Sequence, residues 1–330
     1  MTSLDKQALL RAYRRMRTIR DFEDRLHVEI AAGQVAGFTH LYAGQEAIAV
    51  GVCEHLSEKD SIISTHRGHG HCIAKGADVK RMMKEIFGSS EGTCNGKGGS
   101  MHIAEVDRGI LGANAIVGGG PPIAVGAALA GKLRGDGTVA VSFSGDGSTN
   151  QGTTFEAMNM AKALQVPKVF VIENNGYAEN TGADYGSGGV DIAARTEGFG
   201  IPVFRADGAD FFDVYRATGE AVAHARGGGG PAGVYAEMQR YYGHYEGDPQ
   251  KYRAPDEPKN LRETHDCLKN YRQRVADDGS LAAAELDQID AEVAELIEAA
   301  VTEAKAAPRP SPEDVTTDVY INYRGASDAG

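Results

Sequence analysis

Two short apolar runs, each ending in a small polar motif, constrain this chain more than any other feature. Val139-Ala140-Val141-Ser142-Phe143 leads into Gly145-Asp146-Gly147-Ser148-Thr149-Asn150, and Val169-Phe170-Val171-Ile172 leads through Glu173 into Asn174-Asn175. Between them Phe155, Met158, Ala161, Lys162 and Leu164 give a helical segment with an apolar face, closed by Pro167. Strand, helix and strand in that order make the unit of a parallel sheet. A right-handed crossover lays the two strands side by side, so Asp146 and Asn175 emerge at the same C-terminal edge. A carboxylate and an amide oxygen there are hard ligands suited to magnesium, which keeps positions for water and phosphate oxygens. A helix starting near Asn150 would aim free N–H groups at the same spot and favour an anion. The pattern describes a magnesium–diphosphate cradle.

Other phosphate motifs fit worse. A dinucleotide fingerprint needs a third glycine where Asn150 stands, and an acid where Asn174-Asn175 stands. A P-loop needs G-x-x-x-x-G-K-[ST]; Gly92-Thr93-Cys94-Asn95-Gly96-Lys97-Gly98 has the wrong spacing and no hydroxyl. A simple tight turn at Gly145-Asp146-Gly147 is the plain alternative. The 26 residues between Gly147 and Asn174, filled by a helix and a strand, argue against it.

The stretch GDGSTNQGTTFEAMNMAKALQVPKVFVIENNGYAENTG carries the thiamine diphosphate motif, G-D-G followed at a distance by N-N. It resembles the alpha subunit of the thiamine-dependent first component of 2-oxo-acid and acetoin dehydrogenase complexes. HLYAGQEAIAVG from His40, ISTHRGHG from Ile63, GKGGSMH from Gly96 and YYGHYEGDP from Tyr241 match the same family in order, from about Thr18 to about Arg253. The resemblance implies thiamine diphosphate and magnesium, with Asp146, Asn175 and Tyr177 at the metal. It implies His66, Arg67, Ala115, Val117, Asp146, Gly147, Ser148, Asn175 and His244 at the cofactor, and His40, His69 and His244 as catalytic candidates.

Departures from the family pattern matter. His66 replaces the tyrosine of the family's Tyr-Arg phosphate pair, so a donor remains while reach and charge change. Arg67 still offers a charge-assisted hydrogen bond to phosphate. In Ala115-Ile116-Val117-Gly118 an alanine replaces the first glycine, so that backbone need not take a positive φ. Glu179 stands where the family has an apolar residue. Tyr245 replaces the phosphorylatable serine of mitochondrial relatives, which implies that this mode of regulation is absent. Glu246 follows it, and an acid beside the substrate entrance suits a carboxylate substrate poorly. G-H-[aromatic]-E-G-D resembles the acetoin branch.

The expected reaction is therefore cleavage of acetoin to acetaldehyde and a cofactor-bound hydroxyethyl group, which passes to a lipoyl carrier or an artificial acceptor. A pyruvate or branched-chain 2-oxo-acid dehydrogenase is the rival within the class. A magnesium–nucleotide-binding module is the rival outside it. The resemblance implies a separate beta subunit in an α2β2 heterotetramer and a lipoyl-bearing acyltransferase as partners, and no second, pyrimidine-binding domain is visible in this sequence.

A chain of 330 residues with 42% apolar content can bury a large core. A net charge of −12 argues against nucleic acid and anionic membranes. No apolar leader follows Met1, and the four cysteines form no C-x-x-C pair, which suits a cytoplasmic protein. Alternating elements predict a doubly wound, mostly parallel α/β sheet over residues 1–260, with helices at Leu4–Ala32, Gln45–Leu56, Asp78–Phe87 and from about Ile123. Gly182–Gly189 reads as a loop. Residues 261–330 read as a helical extension, expected to pack on partner subunits, in which Leu286, Ile289, Val293, Leu296, Ile297 and Val301 mark a packing helix with a charged outer face. Arg11, Arg14, Arg15 and Arg17 give the first helix a basic face that is either solvated or set against an acidic partner surface.

Overall fold

The structure, a computed structural model, describes residues 4–318. Helix α1 (Lys6–Ala31) starts at Asp5, whose carboxylate accepts from the Ala8 N–H at 2.8 Å. Then come α2 (Glu46–Cys53), β1 (Ser61–Ile63), α3 (His69–Lys75), α4 (Val79–Ile86), β2 (Ile110–Gly112), α5 (Gly120–Arg134) and β3 (Ala140–Gly145). A 3-10 turn, Gly147–Asn150, leads to α6 (Gly152–Leu164) and β4 (Lys168–Asn174). The hairpin β5 (Tyr177–Ala178) and β6 (Thr181–Gly182) is followed by α7 (Ala183–Ser187), α8 (Ile192–Glu197), β7 (Val203–Asp207), α9 (Phe211–His224) and β8 (Ala232–Glu237). Helices α10 (Glu257–Thr264), α11 (Cys267–Asp277) and α12 (Ala283–Ala306) end the regular structure.

The main sheet has the order β2-β1-β3-β4-β8-β7, with every pairing parallel. Strands β3 and β4 are neighbours, in register from Ala140 opposite Lys168 to Gly145 opposite Glu173. Alternation along these strands explains why apolar residues stand on both of their faces, with Ser142, Ser144, Lys168 and Glu173 as the buried polar exceptions. Val141, Phe143, Val169 and Val171 face one core, while Ala140 and Phe170 face another with Ala157, Met158 and Ala161 of α6. A sheet covered on both faces needs apolar residues on each of them.

Several expectations shift. Helix α5 begins at Gly120, before the anticipated Ile123, because Pro121 and Pro122 occupy its first turn, where a missing N–H costs nothing. The 3-10 turn separates Asp146 from α6, so the helix starts at Gly152 and not at Asn150. Gly182–Gly189 holds β6 and α7 instead of an open loop. Helix α3, inside the histidine-rich run, was not anticipated.

The division at residue 260 does not follow the packing. Leu286, Ile289, Val293, Ile297 and Val301 of α12 belong to the same core as Leu9, Met16 and Leu26 of α1, and α12 lies on α4 and α1 of its own chain. The stripe is thus covered within the chain and not by a partner, because α1 presents the complementary apolar face. The basic face of α1 is also matched internally: Arg11 and Arg15 meet Glu54 at 2.8 and 2.5 Å, and Arg14 pairs with Glu292. Buried Arg20 joins α1 to α2 and the start of α11 through Glu46 at 2.6 Å and Asp266 at 3.2 Å. No helix among the described residues is long and apolar enough to cross a membrane.

Candidate active site

The parallel strands deliver their C-terminal ends to one cavity of about 330 Å³. Thr65, His66 and Arg67 follow β1, Asp146 follows β3, Asn175 follows β4, and His244 lies on the segment after β8. Of the residues singled out above, His40, His66, Arg67, Ala115, Val117, Asp146, Gly147, Ser148, Asn175, Tyr177 and His244 line the cavity. His69 does not.

One side of the cavity presents oxygens that could hold a cation. Asp146 is 4% exposed, and burial pushes its carboxyl up to about 6 despite help from backbone N–H groups. The Asn175 amide is oriented by donating to Gln45 Oε1 at 3.2 Å, while its oxygen accepts from the Tyr177 N–H at 3.3 Å. The Tyr177 hydroxyl turns away to Glu257 at 3.2 Å, so only its backbone could serve a cation here. The Ser148 hydroxyl is used on the Gly145 carbonyl at 2.8 Å. A Cβ on Gly147 would sit 2.5 Å from that of Ala178, so glycine is required where the turn meets the hairpin.

The other side is built for an anion. Arg67 is buried, with its guanidinium donating to the Leu41 carbonyl and, at 2.8 Å, to the His244 carbonyl. Both partners are neutral. Burial and the nearby Arg240 lower its pKa to about 9. Arg240 is fully buried, reaches the Glu179 carbonyl at 2.7 Å and the Tyr252 hydroxyl at 2.8 Å, and leaves Nε and Nη1 without partners. His40, His66 and His244 gather between these arginines with ring centroids 4.4, 4.9 and 5.2 Å apart. Burial and the Arg67 charge lower them to about 3, 2 and 4, so all three are neutral imidazoles at pH 7. Such an excess of uncompensated positive charge calls for a polyanion.

Ala115 and Val117 line the cavity while Ile116 between them is 72% exposed, and Ala115 is not among the positive-φ residues. The glycine it replaces is therefore dispensable here. Glu179 also lines the cavity, at a left-handed φ of 57°.

Two candidates move away from the chemistry. His69 is fully buried, with Nδ1 at 3.0 Å from Glu23 and Nε2 at 2.9 Å from the Ser100 hydroxyl. Its place as first residue of α3 turns it inward, so it is corrected from a catalytic to a packing role. Glu246 does not stand at the substrate entrance: its carboxylate meets His27 Nδ1 at 2.6 Å and is absent from the cavity wall. The expected repulsion of a carboxylate substrate therefore loses its source.

Sequence reasoning missed Gln45, Met101 and Glu173 on the cavity wall, and buried Arg240, which lies outside that wall near Arg67. Gln45 and Glu173 sat inside the quoted motifs next to the chosen residues, and Met101 ended GKGGSMH. Glu173 accepts from the Tyr42 hydroxyl and lies 3.1 Å from His71 Nε2, so it is tied into the wall behind the cavity. Arg240 carried no local signal; its role follows from the return of the chain after β8.

Residues 14–313 match the family described as dehydrogenase E1 component. The alpha subunit of acetoin:2,6-dichlorophenolindophenol oxidoreductase from Cupriavidus necator is 57% identical over 320 residues, 97% of this chain and 96% of that protein. The protein of the same description from Bacillus subtilis is 48% identical over 324 residues, 97% of this chain and 96% of that one. The pyruvate dehydrogenase E1 component alpha subunit of Zymomonas mobilis is 40% identical over 318 residues, 96% of this chain and 90% of that one.

Proposed function

The chain belongs to the dehydrogenase E1 component family, and from that membership we propose that it is the alpha subunit of a thiamine diphosphate-dependent dehydrogenase that cleaves acetoin. The observation that carries this reading is the pairing, in one cavity, of the Asp146 and Asn175 oxygens with a buried Arg67 that lacks a carboxylate partner among the described residues. A magnesium diphosphate satisfies both halves at once.

In this reading Asp146, Asn175 and the Tyr177 backbone hold magnesium, and Arg67 with His66 holds the phosphates. The backbone at Ala115 and Val117 faces the aminopyrimidine, beside Gly147 and Ser148. Bound thiamine diphosphate supplies a nucleophilic carbon and an electron sink for breaking the C–C bond of acetoin. His40 and His244 orient the substrate and move its hydroxyl proton at their ring nitrogens. Burial and the Arg67 charge hold their pKa values low, and a diphosphate neutralising Arg67 raises both toward the neutral range where proton transfer is efficient.

A cavity at the small end of the roughly 300–1,000 Å³ common for ligand sites supports a site completed by another chain. A beta subunit, in an α2β2 heterotetramer, and a lipoyl-bearing acyltransferase are the proposed partners, and the cytoplasm the proposed location. With Glu246 removed from the entrance, the preference for acetoin over pyruvate rests on the relatives.

The test is a substrate comparison on the chain co-expressed with its beta subunit, with 2,6-dichlorophenolindophenol as acceptor. Acetoin should give the highest kcat/KM against pyruvate and 3-methyl-2-oxobutanoate. A higher value for pyruvate would make this a pyruvate dehydrogenase subunit. Tight binding of magnesium ATP with none of thiamine diphosphate would overturn the class.

A further inference from the structure

The rings of His40, His66 and His244 meet in one cavity, without hydrogen-bond partners among the described residues, unlike those of four histidines packed elsewhere. His69, His71, His55 and His27 each place a ring nitrogen on a protein partner within 3.1 Å. The six ring nitrogens of the cavity trio have no hydrogen-bond partner among the described residues, and His40 Nδ1 is also fully buried. Each ring nevertheless offers a nitrogen lying within 4.8 Å of one on each of the others. Their planes cross at 60°, 76° and 62°, so the rings meet edge to face instead of stacking.

We propose that these three imidazoles form a binding site for a divalent d-block cation of the zinc class, with the fourth position open to the cavity. Zinc takes imidazole nitrogens at about 2.0–2.1 Å, and three histidines with one open position make a familiar coordination set. Tetrahedral ligands at that bond length sit about 3.3 Å apart. The trio therefore has to close by rotation of side chains, which is open to His66 and His244 because both are only part-buried. Magnesium does not compete for this position, since it takes oxygen ligands. Conversely, Asp146 and Asn175 offer oxygens. Because the imidazoles are already neutral at pH 7, no proton has to leave before a metal binds. Arg67 and Arg240 oppose a dication here, so the site suits a cation held by covalent character and not by charge alone. Asp248, whose carboxylate accepts from the His244 N–H at 2.7 Å, offsets part of that repulsion.

The functional consequence is an inhibitory site. A metal on the trio ties up both proposed proton-transfer histidines together with His66, one of the proposed phosphate contacts. The site depends on His66, the position at which this chain departs from the tyrosine of the family pattern.

Cobalt(II) is the probe, added to the metal-free, thiamine-free protein. The expected result is saturable visible absorption of low-coordinate cobalt at a single cation per chain, bleached by zinc and not by magnesium. His66→Tyr and His40→Gln should each weaken cobalt binding by about 100-fold or more, since even losing a supporting contact behind a ligand costs about 10–100-fold. Thermal unfolding of both variants must match the parent protein, and two variants guard against one misfolding. Cys94 is the part-exposed thiol, and Cys94→Ser should leave the spectrum unaltered. Absence of the bands, bands that survive both histidine variants, or bands lost with Cys94 would each overturn the proposal. Cobalt bands in a protein that binds no thiamine diphosphate would uphold this site while counting against the functional reading, so the two are separable.

Discussion

Polar groups at the cavity and those packed behind it come from the same stretches of sequence, and their hydrogen bonding is opposite. In His66-Arg67-Gly68-His69-Gly70-His71 the first two side chains face the cavity, while His69 and His71 are fully buried. His71 links Ser64 Oγ at 2.7 Å to Glu173 at 3.1 Å, and His69 links Glu23 to Ser100. Behind the cavity, Glu85 of α4 accepts from the N–H groups of Cys94, Gly96, Gly98 and Gly99 at 2.8–3.0 Å, holding the loop that ends at Ser100 and Met101. At the cavity Arg67 has only neutral carbonyl partners, Asp146 has only backbone N–H groups, and the three histidine rings have no partner among the described residues. Groups that are fully satisfied hold the fold together, and groups left wanting are available to a ligand. Substitutions should therefore divide into those that lose binding at unchanged stability and those that lose stability.

The sharpest contrast is expected at Asp146. Asp146→Ala removes the only carboxylate of the proposed cation pair, so thiamine diphosphate binding should fall below detection in equilibrium titration with the beta subunit present. Its folded pKa of about 6 lies above the unfolded value of about 4, so the ionised carboxylate opposes folding in the empty protein. The variant should then be more stable than the parent at pH 7, by on the order of 1–3 kcal/mol, with the gap closing below pH 4. Unchanged cofactor affinity, or a clear loss of stability at pH 7, would break the division.

His244→Ala should lower kcat by about 10²–10⁴-fold while leaving cofactor affinity close to the parent value. Loss of affinity in place of turnover would put this histidine with Arg67 at the phosphates. Glu85→Ala tests the opposite region. It strands four backbone N–H groups in a part-buried loop, and urea unfolding should show a loss of about 3 kcal/mol. A normal unfolding midpoint combined with lost activity would show that the loop is a functional element and not a support.

The same carboxyl predicts a pH effect on the cavity side. Cation binding needs ionised Asp146, so magnesium-dependent cofactor affinity should be flat above about pH 7 and fall by about tenfold per unit below pH 6. In Asp146→Asn that acid-side fall should vanish along with most of the affinity. The smallest effect is expected at Glu246. Because its carboxylate faces His27, Glu246→Gln should change the ratio of pyruvate to acetoin kcat/KM by less than about twofold. A large rise in that ratio would restore Glu246 as a selector of substrate charge.

The sequence alone determined the parallel α/β unit and the arrival of Asp146 and Asn175 at one cavity. Asp146 and Asn175 were legible because a strand end is a local feature, and the crossover rule carries two strand ends to one edge. The apolar stripes of α1 and α12 were legible for the same local reason. Tertiary structure decided which surfaces those stripes meet, and it set α12 on α1 and α4 of the same chain. It also decided the fates of neighbours in one motif: a helix beginning at His69 sends that ring to Glu23, while His66, just ahead of it, stays in the cavity. The direction of Glu246 toward His27, the arrival of Arg240 beside Arg67, and the meeting of His40, His66 and His244 each join residues far apart along the chain. Periodicity and spacing report the environment of a residue along its own element. Partners across the fold are set by how the elements pack, and a single sequence carries no local mark of them.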